Sequence, residues 1–160
     1  MAEKLVDVGG LSKAAAWAAV REQAEAVLAG LDDEVAAMST VASIVHHAFG
    51  YLWTGFYRVV QPERLLRVGP YQGTLGCMEI EFGKGVCGSA AKERRTLVVK
   101  DVHAFPGHIT CDGRSRSEIV APVFDKKGAL KAVFDIDSDQ VAAFDDEDRA
   151  GIEALLSLLR

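Results

Sequence analysis

The sequence predicts an α/β (α+β) domain, with a central, mainly antiparallel sheet flanked by helices. Three observations predict it. Apolar residues at helical spacing occur near both ends of the chain, over 12–29, 33–49 and 145–160. Strand-like segments fill the middle, at 52–60, 64–69, 77–82, 96–102, 117–124 and 129–137. Most connections between those strands are short, which favours antiparallel neighbours. Residues 1–160 read as one domain: N-terminal helices over 12–49, a sheet core over 51–137 and a C-terminal helix over 145–159.

Each element has a local cause. Ser12 is placed to cap the first helix and Gly30 to stop it. Asp33 and Glu34 put acids at the positive end of the second helix, and Gly50 follows its last turn. The segment LWTGFYRVV (52–60) is aromatic and β-branched, and the polar turn QPE leads into RLLRVG (64–69), which suggests a hairpin. FGKGVCGSAAKE reads as a glycine-rich turn entering a short helix. DKKG between SEIVAPVF (117–124) and ALKAVFDID (129–137) is a strong turn signal. The polar loop HAFPGHITCDGRSRS (103–117) is long for a compact domain, and such loops usually carry function or are disordered.

Composition narrows the function classes. Apolar residues make up 49% of the chain and charged residues 26%, the balance of a globular protein. A net charge of -5 without a dense Lys/Arg block argues against nucleic-acid binding. No apolar run approaches the ~20 residues a membrane span needs. The first ten residues lack the apolar core of a secretory leader, so the expected compartment is the cytoplasm, where thiols stay reduced. The three cysteines, Cys77, Cys87 and Cys111, make no closed disulfide set and no Cys-x-x-Cys pair. A zinc site from Cys77, Cys87, His108 and Cys111 matches no common spacing.

The chemistry-bearing residues converge on one hairpin. In Phe134-Asp135-Ile136-Asp137 alternation sends both acids to one face. On its own this is an ordinary solvated strand face. A four-residue DKKG loop would set Phe124 opposite Ala129 and Glu118 opposite Asp135, bringing three carboxylates together. Like charges so placed destabilise a sheet, which points to a use such as holding an ammonium group or keeping one carboxyl protonated. Separated from Glu118 by six residues, Cys111 lies in a polar loop, a poor place for a buried apolar thiol and a better one for a reactive thiol. His108, Arg114 and Arg116 are near enough in sequence to lower its pKa. Trp53 and Tyr57, four apart on a strand, share a face as core aromatics or as pocket walls. Cys87 at the start of the short helix reads as packing. His46 and His47, at a helix end, read as capping or surface groups.

At these residues the chain resembles the free methionine-(R)-sulfoxide reductases, which are built on a GAF domain. The resemblance covers about residues 40–158 and rests on GPYQGTLGC (69–77), FGKGVCGSAA (82–91), DVHAFPGHITCDGRSRSEIVAPV (101–123) and FDIDSD (134–139). It implies that Cys111 is the nucleophile, that Cys77 resolves the oxidised sulfur from a mobile loop, and that Cys87 has a secondary role. It further implies that Glu118, Asp135 and Asp137 form an acidic substrate pocket lined by Trp53 and Tyr57. The expected substrate is free methionine sulfoxide. The expected reductant is thioredoxin, the expected assembly a homodimer, and no metal or organic cofactor is expected. Gly76, where alanine is commoner, is expected to loosen the loop over the pocket. The rival readings are a GAF ligand-sensing module without catalysis and a peroxide-responsive thiol protein.

Overall fold

A computed structural model describes residues 4–160. Helices α1 (Lys13–Leu28) and α2 (Glu34–Phe49) lead into the hairpin β1 (Trp53–Gln61) and β2 (Leu65–Gly73). Then follow β3 (Glu79–Glu81), α3 (Gly85–Glu93), β4 (Leu97–Val99), the hairpin β5 (Ser117–Phe124) and β6 (Leu130–Ser138), and α4 (Asp146–Leu156). The strands form one six-stranded sheet in the order β3-β2-β1-β6-β5-β4, with every described pairing antiparallel. The two edge strands have three residues each, which limits the unpaired backbone a neighbouring chain could use.

The sheet divides two apolar layers. On one face Phe56, Ile119, Ala121, Phe134 and Ile136 pack against α1, α2 and α4. On the other, Trp53, Tyr57, Val120 and Val133 pack against Val86, Cys87, Ala90 and Ala91 of α3. The caps follow their residue types: Ser12 accepts from the Ala15 N–H and Asp33 from the Ala36 N–H, while Gly50 closes α2 at φ 67°. A polar network ties the chain ends together. Asp148, fully buried, accepts from Trp17 Nε1 at 2.9 Å and from Lys13 Nζ at 2.7 Å, while Asp145 and Asp148 form a capping box on α4.

Three expectations from the sequence need correction. Cys77 and Met78 lie outside β3, in the connection from β2. The strand expected over 96–102 stops at Val99, because Asp101 accepts from the His103 N–H and starts a 3-10 turn over Val102–Ala104. β2 runs on through Gly69-Pro70 to Gly73, because a bulge between Gly55 and Tyr57 removes the need for a proline N–H in the ladder.

Removing the Asp148 carboxylate strands the buried Trp17 indole N–H and takes from the Lys13 ammonium one of its three partners, leaving Asp145 and the Ala143 carbonyl. Asp148→Ala is expected to lower stability by about 2–3 kcal/mol, measured by urea unfolding. Asp148→Asn, which keeps an acceptor for Trp17, should lose less.

Candidate active site

The β5–β6 register places the acids, though not by the expected pairing. The connection is five residues, 125–129, and β6 carries an extra residue at Lys131, so Phe124 faces Leu130 and Glu118 faces Asp137. These two single-residue displacements add to two, and strand side chains alternate with period two. The face is therefore preserved, and Glu118 sits diagonal to Asp135. On the other side of β6, β1 sets Trp53 opposite Asp137 and Gly55 opposite Asp135. Gly55 is required here: a Cβ would collide with Tyr71 Cβ, and Tyr71 uses that space to stack on Trp53 with ring centroids 5.1 Å apart. Trp53 in turn stacks on Tyr57 at 5.6 Å. Both expected pocket aromatics are buried on the face that carries the acids.

Two loops cover this face. One, 74–78, follows β2 and carries Cys77; the other, 108–112, carries Cys111. The sulfurs are joined in a disulfide with the Cα atoms 5.3 Å apart. Thr74 Oγ1 donates to Asp112 Oδ2 at 2.7 Å, a second tie between the loops. Beneath them lies a cavity of about 40 Å3 lined by Trp53, Tyr57, Cys87, Glu118, Asp135 and Asp137. That is room for a few water molecules. Gly76 touches the floor aromatics: a Cβ there would lie 2.9 Å from Tyr57 Oη and 3.1 Å from Trp53 Cζ2. Its missing side chain lets the loop sit down on the pocket.

The electrostatics are one-sided. Glu118 and Asp135 are 6% and 5% exposed. Among the described residues no Lys or Arg forms an ion pair with any of the three acids. The basic group that approaches Glu118 is His108, with Nε2 at 3.9 Å. Burial and the charges of Asp135 and Asp137 push the Glu118 carboxyl well above the usual range. Burial and Asp137 do the same to Asp135. Burial raises Asp137 to about 7, against the opposing effect of Ser115 Oγ, which donates to Asp137 Oδ1 at 2.9 Å. Burial and the acids hold the Tyr57 phenol far above its ordinary value. His108 is shifted down by burial and by His103. Asp135 Oδ1 and Trp53 Nε1 are buried without a hydrogen-bond partner, an acceptor and a donor left over inside the pocket.

Cys111, Trp53, Tyr57, Glu118, Asp135 and Asp137, singled out by the residue pattern, and Cys77 and Cys87, added by the family resemblance, lie together here. The arginines near Cys111 in sequence engage other groups. Arg114 binds Asp112, with Nη2 2.8 Å from Oδ2, and Arg116 approaches His103. Ser115 and Tyr71 went unnoticed. Ser115 lies in a polar loop where no periodicity marks its direction, and Tyr71 lies beyond the Gly-Pro pair at which β2 was expected to end.

The comparisons with known proteins agree with this geometry. The family described as GAF domain matches residues 33–159. GAF domain-containing protein A of Dictyostelium discoideum is 38% identical over 99% of this chain and 99% of its own length. The free methionine-R-sulfoxide reductase of Saccharomyces cerevisiae is 41% identical over 76% of this chain and 71% of its own. The structure of free methionine-R-sulfoxide reductase from Neisseria meningitidis, solved with its substrate, superposes with a TM-score of 0.93 at 40% identity, covering 99% of this chain and 93% of that one. The chain belongs to the GAF-domain family and, within it, to the free methionine-R-sulfoxide reductases.

The acids give stability a definite pH dependence. In the folded state Asp137 keeps its proton up to about pH 7, whereas an unfolded aspartate releases it near ~3.9. Between those values the folded state binds more protons, so stability is full at the acid end and falls as pH rises through 7. Glu118 and Asp135 act in the same direction. The urea midpoint of the disulfide form should drop between pH 5 and 8, and Asp137→Asn should flatten that drop. Identical pH profiles for the two proteins would show that Asp137 ionises freely.

Proposed function

We propose that this oxidoreductase reduces free methionine-(R)-sulfoxide to methionine, with Cys111 as nucleophile and Cys77 as resolving thiol. The observation that carries the reading is a Cys77–Cys111 disulfide closed over a pocket holding three carboxylates, Glu118 and Asp135 buried and Asp137 half-buried, and two stacked aromatics. A sensing module needs no such dithiol over its ligand. The R epimer is assigned from the family relationship.

The chemistry follows from the groups. A carboxyl held protonated near neutrality donates to the sulfoxide oxygen, and Glu118, Asp135 and Asp137 are the candidates. The Cys111 thiolate attacks the activated sulfur. The oxygen leaves on Cys111 as a sulfenic acid, the substrate sulfur gains two electrons, and methionine departs. Cys77 thiolate then attacks Cys111 Sγ. The S–O bond breaks, water leaves, and the disulfide forms. An external dithiol protein such as thioredoxin opens it by exchange, so no resident metal or organic cofactor is needed. The carboxylates left ionised receive the α-ammonium, and the Trp53–Tyr57 wall packs on the thioether methyl and side chain. A peptide-linked methionine sulfoxide lacks the ammonium and would leave buried acceptors unpaired, so the free amino acid is preferred. The enzyme is proposed to work in the cytoplasm as a homodimer.

Methionine release tests the scheme. Cys111→Ser is expected to lose turnover by ~1000-fold or more, the scale seen when a nucleophile is removed. Cys77→Ser should release about one methionine per enzyme and stall, since the first attack needs no resolving thiol. Full turnover by Cys111→Ser would remove the assigned nucleophile. Asp135→Ala and Asp137→Ala should each cost ~100-fold or more, the scale of lost acid–base help, whereas Asp146→Ala on the exposed start of α4 should change little. N-acetylation of the substrate should cost a comparable factor.

A further inference from the structure

The proposed cycle leaves one nucleophile idle. Cys87 is a free, buried thiol in the first turn of α3. That position alone favours a thiolate, but burial and the neighbouring Asp135 and Glu118 push the thiol well up. Its Sγ lies 3.9 Å from Glu118 Oε1. One ligand atom each from Cys87, Glu118 and Asp135 falls within 4.8 Å of the other two. Asp135 Oδ1, in a residue 5% exposed, is buried without a hydrogen-bond partner.

We propose that, once the lid disulfide is reduced, Cys87, Glu118 and Asp135 form a site for one thiophilic divalent cation, such as zinc or cadmium, and that this cation excludes the amino-acid substrate. The exclusion rests on the substrate reading above; the cation site does not. A thiolate selects zinc or cadmium over magnesium or calcium. Zinc bonds of about 2.3 Å to sulfur and 2.0–2.2 Å to oxygen set tetrahedral ligand separations near 3.5 Å. The three donors therefore have to close by roughly 1 Å, which a side-chain rotation supplies. Water from the cavity fills the fourth position. Binding breaks no covalent bond except those to the displaced protons, which leave to solvent as the cation takes over the neutralisation of the acids. The site would act as a brake on the reductase when free thiophilic metal rises.

The test uses a Cys77→Ser/Cys111→Ser double variant, in which Cys87 is the sole thiol and the lid is unlinked. Cadmium titration should raise a sulfur-to-metal charge-transfer band in the ultraviolet that saturates at one equivalent. Adding Cys87→Ser should abolish the band. Asp135→Asn should raise the half-saturating cadmium concentration by more than the ~10-fold that loss of an outer-shell partner costs a metal site. Glu118→Gln gives the same readout, should Asp135→Asn fail to fold by circular dichroism. No band, or a band unmoved by both carboxyl variants, overturns the three-ligand site. Excess free methionine sulfoxide should bleach the band, and a saturated band that resists it overturns the exclusion. Methionine production by the unmodified enzyme, measured without metal, separately decides the substrate reading.

Discussion

The arrangement depends on three carboxylates fixed side by side in a space where, among the described residues, no Lys or Arg pairs with them. Antiparallel pairing of β6 with both β5 and β1 sets Glu118, Asp135 and Asp137 on one face, and α3 with the two covering loops removes them from water. Burying like charges together is unfavourable. The protein meets that cost by leaving protons on the acids, as the upward shifts of all three record. In the proposed cycle the same condition supplies both a proton donor and, through the carboxylates left ionised, a receptor for a cationic head group. Acid chemistry and recognition are thus two outcomes of one packing decision.

The rest of the site is built to keep that space small. Gly55 gives up a side chain so that Tyr71 can support Trp53, and Gly76 gives one up so that the lid can meet Tyr57. The opposite face of the sheet does different work. There Phe56, Ile119, Phe134 and Ile136 meet three helices in an apolar core, and Trp17 and Lys13 engage Asp148 to tie α1 to α4. Stability comes chiefly from one face and chemistry from the other. The central strands β1, β5 and β6 serve both because neighbouring residues point in opposite directions.

Much of this was legible in the sequence, for reasons visible in particular residues. Alternation in Phe134-Asp135-Ile136-Asp137 gave the face of the acids without any structure. The pairing deduced for Glu118 was off by two positions, because neither the five-residue turn nor the extra residue at Lys131 has a distinctive signature. The face survived since the error was even. Ser115, which hydrogen-bonds Asp137, lies in an irregular loop whose side-chain directions follow from tertiary contacts alone. For the same reason, nearness in sequence did not predict that Asp112 would take Arg114. Cys87 read as packing, and its proximity to Glu118 emerged only when α3 was laid across β5 and β6. The pairing of Cys77 with Cys111 came through likeness to a family, since loop closure over 34 residues cannot be read from spacing.

The bridge between the two loops also imposes an order of events. With it in place, the chamber beneath is about 40 Å3, too tight for an amino acid with a four-atom side chain. In the proposed cycle methionine must therefore be gone before the sulfurs join, and no fresh substrate can enter until they part. The two half-reactions are kept apart by the protein's own covalent chemistry, as in a double-displacement enzyme. Supply of electrons, rather than supply of sulfoxide, then decides when the chamber is open.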